Sequence, residues 1–285
     1  MAGEVLMVDH PDEAIMRLTL NRPDKRNALS DELRLALFDA LRRGDADPDV
    51  AVMIIRGAGP SFCAGYDLSS VNHPVERATA QRDGWWSRHV VAGWFEMWDM
   101  TTPIVGQVHG WCLAGGSELA AACDLLYVAE DARIGYPPVR LMSPPDLAWQ
   151  PWLMGMRRAM EALLTGDAMT GVEAVAAGVA NRAYPADDLD EEVLGHARRV
   201  AKVPGELLAL NKRVVHRAME AAGMRAGLRA TADIQALGFH QASSRRYMSA
   251  LRDRPLRESL DERDAPFSDY RTAGAAARAA TRDEG

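Results

Sequence analysis

Two glycine-containing segments have the residue types and spacing to do chemistry: Ser61-Phe62-Cys63-Ala64-Gly65-Tyr66-Asp67-Leu68 and Trp111-Cys112-Leu113-Ala114-Gly115-Gly116-Ser117-Glu118-Leu119. Glycine at a strand end lets the backbone turn sharply and lets its amides approach a ligand with no Cβ in the way. Two such loops could each present one N–H to the same oxygen, and a pair of donors aimed at one oxygen stabilises an oxyanion. Glu118 adds a titratable group close to the second loop, where a helix start also favours an acid for its dipole alone. On chain geometry, the glycines serve equally as tight turns and as sites of close helix–sheet packing.

The elements that would position these loops are readable from periodicity. Ala14–Leu20 alternates as a strand and stops at the turn signal Asn21-Arg22-Pro23. Ser30 is a good N-cap, with Asp31 and Glu32 in the first turn, and Leu33, Ala36, Leu37, Ala40 and Leu41 form one apolar helical face. Val50–Ile55 and Ile104–Val108 are continuous apolar runs of strand length, expected to be buried on both faces. An alanine-rich helix should run through about Cys123, followed by a short strand at Leu125–Val128. This alternation predicts an α/β layered core. From about Arg157 onward the pattern becomes helix after helix, with a capping box at Thr170–Glu173, a stop at Gly178, and helices at about 188–202, 205–222, 225–240 and 243–253. The expected organisation is a core over 1–195, a helical lid or oligomerisation region over 196–270, and a loosely held tail over 271–285.

Composition excludes several classes. The chain has 285 residues, 48% of them hydrophobic and 26% charged, enough for one large soluble domain or a domain with a helical appendage. A net charge of −7 argues against nucleic acid as the main partner, although local basic patches could hold a small phosphorylated ligand. Cys63, Cys112 and Cys123 have an odd count and no CxxC spacing, so they read as reduced thiols rather than a disulfide framework. The N-terminus lacks the basic start and apolar core of a signal peptide, and no apolar run approaches the roughly 20 residues of a membrane span. A cytoplasmic protein with no membrane association is expected. There is no Walker loop, GxSxG elbow or HExxH motif, and His109, placed in a buried strand, reads as a satisfied core residue; no metal or redox cofactor is implied.

Asn21-Arg22-Pro23-Asp24-Lys25-Arg26-Asn27-Ala28-Leu29-Ser30, then Ser61–Leu68, then Gly110–Asp124 resemble, in order and spacing, the crotonase family (enoyl-CoA hydratase/isomerase). The resemblance covers roughly residues 4–270. It implies an α/β spiral of ββα units with a C-terminal helical trimerisation region, a homotrimer or dimer of trimers, and an acyl-CoA thioester ligand, with coenzyme A arriving as part of the substrate. It assigns the oxyanion donors to the amides of Tyr66 and Gly115 and proton transfer to Glu118. It places substrate or coenzyme A contacts at Lys25, Arg26, Ala28, Ala64, Asp67 and Leu68. Lys25 and Arg26 could instead be merely solvated.

The chain departs from the family pattern at one position. Hydratases of this family use two glutamates around a water, and the second is expected at the position that here is Pro138, which has no titratable group. Eight residues further lies Asp146, at an offset where other branches of the family place an aspartate for isomerisation, thioester hydrolysis or nucleophilic attack. Asp146 could equally cap a following helix. Facing Glu118 across a substrate in an apolar pocket, it would split the two carboxyl groups into acid and base. All seven tryptophans lie between Trp85 and Trp152; they fit core and interface packing, or an aromatic acyl pocket. The implied activity is therefore that of an enoyl-CoA hydratase or isomerase, with thioester hydrolysis or acyl-CoA binding with little catalysis as the other readings.

Overall fold

The computed structural model describes residues 4–68 and 85–267, with side chains from residue 90 onward in the second span. Trp85 and Trp86, as side chains, and the expected tail over 271–285 lie outside what it describes.

The fold is built on repeated strand pairs. Val52–Gly57 (β3) and Ser61–Cys63 (β4), Ile104–Val108 (β5) and Trp111–Leu113 (β6), then Leu125–Ala129 (β7) and Arg133–Gly135 (β8), follow one another along the chain. The first strand of each pair joins a six-stranded sheet, completed by Leu6–Asp12 (β1), Ile15–Leu20 (β2) and Arg182–Tyr184 (β10), in the order β1-β2-β3-β5-β7-β10. The second strand of each pair joins a four-stranded sheet, completed by Met169–Thr170 (β9), in the order β4-β6-β8-β9. A helix follows the first two pairs: Trp85–Asp99 (α2) after β4 and Gly115–Ala122 (α3) after β6. This is the ββα repeat that the resemblance implied.

The central strands pair in parallel and are apolar because both faces are covered. Every residue of β5 is buried. Asp31–Ala46 (α1) packs on β2 through Leu33, Leu37 and Leu41, all at most 1% exposed. Leu189–Val200 (α7) packs on β3, β5 and β7 through Leu189, Val193 and Ala197. Ser30 accepts the Leu33 amide as expected of an N-cap. The Thr170–Glu173 capping box opens Gly171–Ala177 (α6), and Gly178 closes it in the left-handed conformation.

The C-terminal third contains Gln150–Leu153 (α4), Gly155–Thr165 (α5), Gly205–Ala221 (α8), Met224–Phe239 (α9), Ala242–Asp253 (α10) and Leu256–Asp264 (α11). The expectation of helix after helix from Arg157 is corrected by β9 and β10, which are two and three residues long and too short to show a period. The 195/196 border falls inside α7, a helix that covers the main sheet. β1 was not expected because four of its seven residues are exposed and it pairs only along the sheet edge, with an irregular register near Asp9. His109 follows β5 rather than lying within it and is half-buried, with its Nε2 2.8 Å from Gly59 O, so it is satisfied but not a core residue.

Candidate active site

β4 and β6 are parallel neighbours, with Cys63 opposite Cys112, so the two glycine loops leave the small sheet side by side. The glycines are required by how closely the loops approach. A Cβ on Gly65, whose φ is +101°, would lie 2.8 Å from the Ala114 methyl and 3.3 Å from the Gly115 nitrogen. A Cβ on Gly116 would lie 2.3 Å from the Cys63 carbonyl oxygen. Between them Ala114 holds φ +50°, a conformation that non-glycine residues avoid, fixed by its amide donating to Gly135 O at 2.9 Å. Gly115 then opens α3, whose Ser117 and Glu118 amides donate to the Ala114 carbonyl at 2.9 and 3.1 Å.

The first loop is fastened by the Asn21–Ser30 block. The Ala64 amide donates to Arg26 O, the Leu29 amide to Gly65 O and the Asp67 amide to Leu29 O, at 3.0, 2.8 and 3.1 Å. Buried Asn27, at φ +53°, donates to the carbonyls of Ala58 and Ser61, both at 2.8 Å. Asp67 is buried and ion-paired to Arg22 at 2.7 Å, and Arg22 also donates to the Ala28 carbonyl. Asp67 and Ala28 are thus placed as parts of this brace, with Ala64 and Leu68 half-buried beside it. Lys25 and Arg26 are exposed on the turn that closes the brace. Arg22 and Asn27 were not singled out from sequence, since their partners lie 31 to 45 residues away.

Glu118 stands on the first turn of α3 with no solvent exposure. Its Oε1 accepts the Leu147 amide at 3.1 Å, and the Tyr66 hydroxyl lies 3.5 Å from its Oε2. Burial pushes the Glu118 carboxyl well above the usual range, and the Asp146 charge pushes it further in the same direction. Asp146 is 3% exposed. The next helix, α4, begins only at Gln150 and has Trp149 at its N-cap, so the capping alternative does not hold. The structure therefore brings Glu118 and Asp146 into one buried cluster with Tyr66 and Tyr136. Burial and the two carboxylates likewise push both phenols up, so both are neutral donors at physiological pH.

The segment carrying Asp146 is held from both sides. Pro138 sits buried in a short 3-10 turn, Pro137–Arg140, and its carbonyl accepts the amides of Leu141, Met142 and Ser143 at 3.3, 2.8 and 3.1 Å. On the other side α9 contributes Thr231, whose hydroxyl accepts the Ala148 amide at 3.3 Å and lies 3.2 Å from Asp146 O. Gln235 lies one turn further along α9 and donates to Ser143 Oγ at 3.4 Å. Tyr136, Thr231 and Gln235 carry no local sequence signal, since each matters only through contacts made in the fold.

Three of the described tryptophans pack against neighbouring residues. Trp94 meets Phe38 with ring centroids 6.1 Å apart, Trp98 stacks on His216 at 4.3 Å, and Trp152 abuts Gly227 of α9. Among the described residues no helix is long and apolar enough to cross a membrane.

Residues 10–256 match the family model for enoyl-CoA hydratase/isomerase. The chain belongs to the enoyl-CoA hydratase/isomerase family. It is 32% identical over 223 residues to a protein of Mycobacterium bovis named "Probable enoyl-CoA hydratase", covering 77% of this chain and 84% of that one. A mitochondrial protein of Dictyostelium discoideum with the same description is 32% identical over 206 residues, covering 71% and 72% of the two chains. Among solved structures, an enoyl-CoA hydratase from Mycobacterium smegmatis superposes with a TM-score of 0.87 at 28% identity, over 93% of this chain and 95% of that one. An enoyl-CoA hydratase/isomerase from Xanthobacter autotrophicus Py2 gives 0.84 at 31% identity, over 92% and 98%. The α/β architecture of strand pairs and helices is thus that of the crotonase fold.

Proposed function

We propose that this member of the enoyl-CoA hydratase/isomerase family moves protons on the acyl group of a coenzyme A thioester, using Glu118 and Asp146 as its acid–base pair. The thioester oxygen is held by the amides of Tyr66 and Gly115; one such donor is worth about 2.7–4 kcal/mol in other enzymes. Coenzyme A enters as part of the substrate, near Lys25, Arg26, Ala28, Ala64, Asp67 and Leu68, and no further cofactor is called for. The observation that carries the reading is the burial of two carboxyl groups in one cluster beside the two loops. Two acids that disfavour each other's ionisation share a proton, so one serves as base while the other serves as acid.

Isomerisation of the double bond is favoured over simple hydration by Pro138. It offers no carboxylate where a hydratase of this family places its second, and its carbonyl is already engaged by three amides. In isomerisation Glu118, ionised, takes a proton from the α-carbon of a 3-enoyl thioester, which lies between the carbonyl and the double bond, and the negative charge passes to the thioester oxygen between the two amides. The same proton, or that of Asp146, is then returned to the other end of the allylic system. Exposed apolar side chains on α5 and α8, among them Met160, Leu164, Leu210 and Val214, support assembly into a trimer or a dimer of trimers.

The test is turnover of 2-enoyl-CoA and 3-enoyl-CoA substrates by wild type, Glu118→Gln and Asp146→Asn. The reading expects double-bond migration by wild type and loss of it in Glu118→Gln. Acyl-CoA binding with no turnover of any enoyl substrate would identify a binding protein instead.

A further inference from the structure

Arg140 carries a charged group that is almost entirely out of water: its side chain is 1% exposed. It closes the Pro137–Arg140 turn, and its donors reach two other parts of the chain. Nε donates to the Thr165 carbonyl at the end of α5 at 2.8 Å, and Nη2 donates to Asp167 just beyond it at 2.9 Å. Nη1 donates at 3.2 Å to Asp264, the last residue of α11, 124 residues away in sequence. Asp264 is 3% exposed and also accepts Nε and Nη2 of Arg263 at 2.8 and 2.7 Å, so two guanidinium groups share one buried carboxylate. The centre of the Phe267 ring lies 3.9 Å from the guanidinium carbon of Arg140. The loop after α5 is shaped to this side chain: a Cβ on Gly166, whose φ is +74°, would lie 2.9 Å from Arg140 Nε.

This cluster stands at the root of the segment that carries Asp146. The Pro138 carbonyl, two residues before Arg140, takes the amides of Leu141, Met142 and Ser143, so the chain leaves the turn in one fixed direction. Gln235 and Thr231 of α9 hold its other end through Ser143, Asp146 and Ala148. A buried ion pair is often no more stabilising than an apolar contact of the same volume, whereas forked guanidinium–carboxylate bonds fix one geometry. We propose that Arg140 is a positioning residue for the reaction: tied to Asp264 of α11, it holds the Pro138–Asp146 segment so that the Asp146 carboxyl stays against Glu118. The inference rests on the acid–base pair proposed above and makes α11, remote in sequence, part of that pair's support.

The experiment follows exchange of the α-protons of butyryl-CoA in D2O against pD for wild type, Arg140→Lys, Asp146→Asn and the double variant. Exchange requires ionised Glu118, and the Asp146 carboxylate opposes that ionisation, so the midpoint of the rate profile reports how closely the two groups are held. The other titratable groups facing Glu118, the phenols of Tyr66 and Tyr136, stay neutral over this range. Asp146→Asn removes the opposing charge and should lower the midpoint. Arg140→Lys keeps the positive charge and loses the fork, so any movement of the midpoint reads geometry rather than charge. It should lower the midpoint by about half or more of the fall seen in Asp146→Asn, and the double variant should fall no further than Asp146→Asn alone. A lower melting temperature with the midpoint unmoved would overturn the inference, leaving the network a purely structural role, as would a further fall in the double variant. If Arg140→Lys fails to melt cooperatively, Asp264→Glu, which keeps its charge on a longer arm, is read by the same comparison. No exchange by wild type at any pD would sink the proposed function, and this inference with it; exchange whose midpoint ignores Arg140 sinks the inference alone.

Discussion

Gly116→Ala tests whether the two loops act as one site. The added Cβ would be placed 2.3 Å from the Cys63 carbonyl oxygen and 2.9 Å from both its carbonyl carbon and its Cβ. Two of these three atoms are backbone, in a strand paired with β6, so no side-chain rotation relieves the contact. Restoring an ordinary carbon–oxygen separation requires β4 and the start of α3 to part by about 1 Å, and a displacement of that size at a reacting centre costs on the order of 10²-fold in rate. Losing one of two oxyanion donors outright gives a similar 10²–10³-fold, so kcat should fall by about that factor. Overpacking of this kind also costs about 1–3 kcal/mol of stability, so the melting temperature should drop by several degrees. The infrared stretch of the thioester carbonyl in bound 13C-labelled butyryl-CoA reads the effect directly. It should shift to lower frequency on binding to wild type and lose most of that shift in Gly116→Ala. An unchanged shift with kcat within about threefold of wild type would show that the loops do not hold one oxygen between them.

Two further outcomes follow from the carboxylate cluster. Because burial and Asp146 raise the Glu118 pKa above its unfolded value of about 4.3, the folded state binds more protons than the unfolded chain over the window between the two values, and stability declines as pH rises through it. Glu118→Gln removes that decline while its side-chain oxygen still accepts the Leu147 amide, so its melting temperature should gain on wild type from pH 4 to pH 8; a constant difference would show that Glu118 is not destabilised by ionisation. Thr231→Val removes the acceptor of the Ala148 amide at a cost of about 1–3 kcal/mol, and should lower kcat with acyl-CoA affinity unchanged. Thr231→Ser should restore the rate, and a loss of affinity in parallel with kcat would mark a purely structural role.

The parts of this fold legible in sequence are those specified by neighbours in the chain. Ile104–Val108 is a strand as read, Ser30 and Thr170 cap their helices, and Gly178 ends one, since each depends on side chains within a few residues. The paired glycine loops were legible because close backbone approach leaves a glycine signature. The brace beneath them was not. Arg22 and Asn27 look like ordinary turn residues until the chain folds back 31 to 45 residues later. Asp146 was ambiguous for the same reason: its position is set by α9, where Thr231 lies 85 residues on, and by the turn at Pro138. Short or exposed strands such as β9 and β1 are too brief or too polar to show a period.

The step on which the proposed chemistry depends is the loss of a proton to Glu118 from a thioester polarised between Tyr66 and Gly115. Incubating butyryl-CoA in D2O and following its α-protons by NMR measures that step without requiring the natural substrate. Exchange of the α-protons by wild type, abolished in Glu118→Gln and strongly reduced in Gly116→Ala, is the predicted result. No exchange by wild type at saturating thioester, or exchange by Glu118→Gln at the wild-type rate, would contradict it.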